Sequence, residues 1–339
     1  MMSIRTTITR FAALCALVAA PLSASAQTML RAADSLPVGH FFAEQGLKFW
    51  LAEVRRQTGN AIDLQHFPAE QLGKAKDMLQ LAMTGVADIA YVVPSYVSDK
   101  MPLMTVSELP GLSKTSCQGT EAFMKLARGG VLDQKELAPN GVVVLFSAIL
   151  DPYQAYATRR IESLDSLKGL KLRTAGGAQA ALVRSLGGVP VSMAAPETYE
   201  ALSRGTIDGV IFPAASLIAY DLPSRLKGAT QEASFGTVVL TYAMSQKRFQ
   251  QFPENVRAAM LKAGDAAARN VCAWLDNSGA ANRAKIAGAG VSYVTLNDAD
   301  QRRLAEASST VNREWARQLD QRGKPGSEVL EAYVRAIGR

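Results

Sequence analysis

Histidine is almost missing from this chain. Only His40 and His66 occur among 339 residues, and their separation rules out a zinc helix of the H-E-x-x-H kind. There is no C-x-x-C pair, G-x-S-x-G elbow, G-x-G-x-x-G turn or G-x-x-x-x-G-K-S/T loop. The usual marks of redox thiols, serine hydrolases, dinucleotide sites and nucleotide-phosphate cradles are therefore lacking, and neither a cofactor nor a metal is expected. Carboxylates are scattered. A glycosidase-like acid pair, whose members need not be close in sequence, is the enzymatic alternative that survives. Basic residues are in modest excess, net +7. No basic tract interleaved with aromatics is present, so nucleic acid is not an expected partner. Beyond the N-terminal region no segment could span a bilayer. The longest apolar stretch there, Val142 to Leu150, is interrupted by Ser147 and has the length of a buried strand.

What is present begins at the N-terminus. Arg5 and Arg10 give a positive start, an apolar run extends from Phe11 to Leu22, and Ala24-Ser25-Ala26 follows. These are the parts of a cleaved export signal. A membrane anchor needs about 20 apolar residues, and this run is too short. We expect a signal peptide over 1–26, cleavage after Ala26, a periplasmic location and a mature chain starting at Gln27. Cleavage leaves 313 of the 339 residues. That exceeds one ordinary core and predicts two domains of about 150 residues each. With 48% apolar and 20% charged residues the composition is globular. Cys15 leaves with the signal, so Cys117 and Cys272 remain. An oxidising compartment permits a disulfide between them, and two buried free thiols fit the sequence equally well.

Helical periodicity alternates with short apolar runs, the pattern of an α/β fold. Phe41 to Arg56 reads as a helix stopped near Gly59, followed by a strand at Ile62 to Phe67. Thr84-Gly85-Val86-Ala87-Asp88 leads through an apolar strand to Pro94, and Arg204-Gly205-Thr206-Ile207-Asp208 leads through another to Pro213. Any helix-to-strand turn can look like this. Two similar lobes presenting equivalent strand ends to a shared cleft would also produce it, since ligands of open α/β sheets gather at carboxyl ends of strands. From Pro253 a helical face of Val256, Met260, Ala263, Ala267, Val271 and Trp274 continues to about Ala287. Unbroken, that helix is on the order of 50 Å long and runs along both lobes. A break at Gly279 is the competing expectation.

The block Leu170-Lys171-Leu172-Arg173 forms a strand that stops before Gly176-Gly177 and a helix N-terminus. A guanidinium there can grip a carboxylate through two parallel hydrogen bonds, and the helix end adds partial positive charge. On position alone, a solvated surface arginine is the more ordinary reading.

Three runs change that balance. "LKGLKLR", then "LGGVPVSMAAPETYEALSRGTIDG", and earlier "FPAEQLGKAKDMLQLAMTGVADIAYVVP" resemble the DctP-type solute-binding proteins of TRAP transporters, in order and at that family's spacings over most of the mature chain. The resemblance implies a two-lobed periplasmic solute-binding fold with a central cleft. Its lobes are expected at 27–150 plus 237–275 and at 151–236 plus 276–339. It also implies a monomeric receptor, with no catalysis, that captures an organic acid by lobe closure for TRAP membrane subunits. A receptor of an ABC importer and a periplasmic hydrolase are the alternatives.

In that family the arginine matching Arg173 makes the main salt bridge to the ligand carboxylate. The family often places asparagine where Phe212 stands, and some members carry a second arginine where Tyr153 stands. Both departures replace polar or cationic partners with rings, which favours a carboxylate with an apolar or aromatic body. His40 and Val93 fall where the family lines its cleft; an exposed loop for His40 and a core position for Val93 are equally open. Tyr91, Tyr96, Tyr199 and Met193 read as packing residues.

Overall fold

The computed structural model describes residues 27–338; the expected signal segment lies outside the described residues. Four strands come from the first part of the chain: β1 (Thr28–Ala33), β2 (Ile62–Phe67), β3 (Ile89–Val92) and β4 (Val142–Ile149). The chain then crosses and forms β5 (Gln154–Ala157), β6 (Lys171–Thr174), β7 (Val189–Ser192), β8 (Gly209–Phe212) and β9 (Gly228–Gln231). It crosses back for β10 (Val239–Ser245) and ends its strands with β11 (Ser292–Thr295).

Two sheets result, in the orders β2-β1-β3-β10-β4 and β11-β9-β5-β8-β6-β7. In each, a parallel trio at one edge (β2-β1-β3 and β7-β6-β8) is extended by an antiparallel strand delivered by a crossing, β10 in one and β5 in the other. The sheets are thus built to the same plan, and each contains a strand lent across the hinge. The two Gly-Asp units occupy equivalent places. Gly85 and Gly205 stop their helices with φ of 75° and 66°, the left-handed region that glycine enters without cost. Asp88 accepts a hydrogen bond from the Arg31 backbone at 2.8 Å, and Asp208 accepts one from the Lys171 backbone at 2.8 Å. Each carboxylate clamps the start of one parallel strand to its neighbour. The carboxyl ends of β1 and β3 consequently face those of β6 and β8.

The long helix Glu254–Gly288 has 35 residues, about 50 Å at 1.5 Å per residue. Gly279 lies within it without a break, because the helix is held elsewhere. Trp50 donates its indole N–H to the Met260 carbonyl at 2.9 Å. Gly264 lies so close to β4 that a Cβ there would sit 1.8 Å from the Leu145 carbonyl oxygen. Cys117 and Cys272 form a disulfide with Cα atoms 4.7 Å apart, tying the helix Ser116–Ala127 to the long helix. Asp276, one turn on, accepts the Ser116 and Cys117 backbone N–H groups, satisfying donors that a helix start leaves unpaired. Asn297 caps the helix Asp298–Gln321 through the Asp300 N–H. The last helix, Gly326–Ala336, turns back to the first sheet's side, where Gln118 donates to the Ile337 carbonyl at 3.0 Å.

Candidate functional site

Arg173 lies in β6 opposite Val210 of β8, so Phe212, two residues along, shares its face of the sheet. The guanidinium carbon stands 4.8 Å from the centre of the Phe212 ring, a distance at which the ring face attracts a cation. The side chain is 1% exposed. Its Nε donates to the Met193 carbonyl at 3.1 Å and one Nη2 proton to the Tyr96 hydroxyl at 3.2 Å. Among the described residues no carboxylate pairs with it, and its Nη1 has no hydrogen-bond partner. A guanidinium offers five donors, and here most of them are uncommitted.

Tyr96 comes from the other side. It belongs to the short turn Pro94–Val97 after β3, and its backbone N–H is held by the Val93 carbonyl at 2.9 Å. Its hydroxyl accepts from Arg173 and also from the Ala195 N–H at 2.9 Å. One phenol oxygen therefore bridges the two lobes directly over the cation. Nearby, the Gly176 turn meets Ser95: a Cβ at Gly176 would lie 2.8 Å from the Ser95 Cβ. The lobes are closed on each other here.

An aromatic wall completes the site. Tyr153, in the first crossing, faces Phe212 with ring centres 6.3 Å apart. Tyr220 meets Phe212 edge-on at 6.0 Å and His40 at 5.8 Å. Burial pushes the Tyr153 and Tyr220 phenols well above the usual range, and the positive charge of Arg173 opposes that rise in both. Both hydroxyls thus feel the guanidinium. His40 is buried, its Nδ1 accepts the Phe42 N–H at 3.2 Å, and desolvation drives its pKa down to about 3. It is a neutral ring at physiological pH and brings no second charge. His66 is committed to Asp34, at 2.6 Å.

Of the residues expected from sequence, Arg173, Phe212, Tyr153 and His40 are joined through one chain of ring and cation contacts. His40 is not an exposed loop residue. Val93 is buried and takes part through its carbonyl, as the anchor of the Tyr96 turn. Two expectations need correction. Tyr96 and Met193 are not merely packing residues, since both bind the guanidinium. Tyr91 does pack, against Phe42 and Tyr242, and Tyr199 accepts a hydrogen bond from Arg225. Tyr220 and Glu108 were not foreseen. Glu108 is 4% exposed, and its Oε2 accepts from the Ser95 hydroxyl while its Oε1 is buried without a partner. Among the described residues no group of three or more His, Cys, Asp or Glu could hold a metal ion.

Two α/β lobes closed over a buried, unpaired cation define a two-lobed solute-binding protein. The chain belongs to the DctP family, bacterial extracellular solute-binding protein family 7, whose model matches residues 39–318. A TRAP solute-binding protein from an unidentified marine microbe, specific for aromatic acid ligands and crystallised with 3-hydroxybenzoate, superposes with a TM-score of 0.85. It is 21% identical, and the match covers 92% of this chain and 98% of that one. A Bordetella bronchiseptica TRAP periplasmic solute-binding protein holding (R)- and (S)-mandelate gives a TM-score of 0.83 at 24% identity, covering 91% and 98%. In sequence, the outer membrane transporter protein TsaT of Comamonas testosteroni is 24% identical over 329 residues, 94% of this chain and 95% of that protein.

Proposed function

We propose that this protein is the periplasmic receptor of a TRAP-type transporter, and that it captures a monocarboxylate with an aromatic body by lobe closure and delivers it to the membrane subunits. The observation that carries the reading is the guanidinium of Arg173, buried between the lobes with no carboxylate partner and with Nη1 uncommitted. A charge enclosed without a partner is costly, and an anion arriving between the lobes removes that cost. Phe212, Tyr153 and Tyr220 supply ring faces for the body of the acid. With His40 neutral, the site offers one fixed positive charge and so suits one carboxylate. The similar structures holding 3-hydroxybenzoate and mandelate support the same ligand class.

Binding without turnover follows from the same groups. A histidine with a pKa near 3, whose Nδ1 is occupied by a backbone N–H, is too weak a base to activate a nucleophile at neutral pH. The lobes in this proposal are residues 27–150 with 237–275, and 151–236 with 276 onward, except that the last helix sides with the first lobe. A thermal-shift panel of 3-hydroxybenzoate, benzoate, mandelate, pyroglutamate and succinate tests the reading. Aromatic monocarboxylates should raise the melting temperature with concentration, as ligands specific for the folded state do. A panel that shifts only with succinate, or not at all, overturns it.

A further inference from the structure

Glu108 ends the short helix Leu103–Glu108 and has no place in the ligand cage just described. Its carboxyl is held from one side by Ser95, the neighbour of Tyr96, and Ser95 is covered by the Gly176 turn of the opposite lobe. From the other side comes the second crossing. The Glu108 carbonyl accepts the Thr237 N–H at 3.3 Å, and a Cβ at Gly236 would lie 2.6 Å from that same oxygen. Gln179 of the second lobe reaches the Thr237 carbonyl at 3.4 Å and accepts the Ala175 N–H at 2.9 Å. Glu108 is therefore packed where the hinge, the Tyr96 turn and the segment after Arg173 meet. Its Oε1 has no partner there.

We propose that Glu108 is a proton site coupled to capture: closing the lobes on an acid takes up one proton at this carboxyl, and opening them releases it. This proton site presupposes the receptor function proposed above. The physical reason is the orphan oxygen. An ionised carboxylate enclosed here is poorly solvated, because the Ser95 hydroxyl and the backbone N–H groups of Ser95 and Val239 offset only part of its desolvation, whereas the protonated acid needs far less. Opening lifts the Gly176 turn from Ser95 and admits water, which restores the ordinary preference for the anion.

Burial raises the Glu108 pKa from 4.5 to about 8 in this closed form, opposed by the Ser95 hydroxyl and by the backbone N–H groups of Val239 and Ser95. Of the titratable groups, Tyr153 in the first crossing senses Glu108 directly and Tyr96 adjoins Ser95, which holds its carboxyl; Arg173 and Asp151 act on Tyr153 in turn. The Tyr153 phenol is pushed up by burial, drawn back down by Arg173 and raised further by Glu108. Asp151 is raised to about 6 by burial and titrates in a lower window. A group whose pKa is higher in the closed state favours closure at low pH, and that advantage is lost as pH rises through the closed-state value. Between pH 6.5 and 8 the affinity should fall about fifteenfold in all, steeply at first and levelling off above pH 8.

The test is titration calorimetry with 3-hydroxybenzoate, and with mandelate in parallel, in two buffers of different ionisation enthalpy at pH 7. Wild-type protein should show a buffer-dependent heat corresponding to about one proton taken up per acid bound. Glu108→Gln should bind with buffer-independent heat and an affinity flat from pH 6.5 to 8. The wild-type heats decide the matter even if the variant fails to fold. Binding with equal heats in both buffers overturns the proton site and leaves the receptor standing. If neither acid nor any other of the panel binds, the receptor reading falls and the proton site with it.

Discussion

Replacing Tyr96 by phenylalanine removes one oxygen and leaves the ring in place. In the closed form that oxygen accepts from Arg173 and from the Ala195 N–H, so its loss leaves two donors without a partner. Each orphaned buried donor costs about 1–3 kcal/mol. Tyr96 keeps some surface exposure, and water can recover part of the loss, so about 2 kcal/mol in total is the expected effect. That corresponds to roughly thirtyfold in Kd. In the open form water satisfies both donors and nothing is lost. The penalty therefore falls on closure and binding, and hardly at all on folding. Calorimetry with 3-hydroxybenzoate should show the thirtyfold weakening, while the melting temperature without acid moves by no more than about 2 °C. An unchanged affinity, or a ligand-free melting temperature that falls in step with it, would refute the bridge between the lobes.

Phe212→Asn puts a polar side chain in place of the ring under Arg173, a contact worth about 0.5–2 kcal/mol. Affinity for 3-hydroxybenzoate should drop about tenfold while pyroglutamate loses less; an unchanged ratio of the two constants would count against the aromatic wall. Replacing Cys117 and Cys272 by serine opens a loop of sequence separation 155, which the chain-entropy argument values at about 4–5 kcal/mol. The denaturant midpoint should fall accordingly; a change below about 1 kcal/mol would show that packing alone holds the two helices.

The alternation of helices and strands and the long helix were legible because each leaves a local mark, glycine stops and a three-and-four apolar spacing, whereas Arg173 read by position as a surface residue and was singled out by the family resemblance. The strands β5 and β9 were not delimited. Four residues such as Gln-Ala-Tyr-Ala have no period of their own and become a strand only through partners in the other half of the chain. The continuity of the long helix through Gly279 was undecided in sequence. It is fixed by distant contacts such as Trp50 to Met260 and by the cap that Asp276 provides. Met193 read as a packing residue because it acts through its carbonyl, which every residue has. Tyr96 acts only across closed lobes, and a lobe arrangement has no local signature. Glu108 did carry a readable sign: a lone acid in the apolar run from Met101 to Leu112. A buried acid of that kind is exceptional unless it has a task.

The central claim is that Arg173 holds the carboxylate of the captured acid. Titration calorimetry of 3-hydroxybenzoate against Arg173→Ala tests it most directly. Losing one member of a buried, hydrogen-bonded charge pair costs about 2–5 kcal/mol, so binding should weaken at least about thirtyfold while the ligand-free protein melts where the wild type does. The same dissociation constant in both proteins would contradict the account.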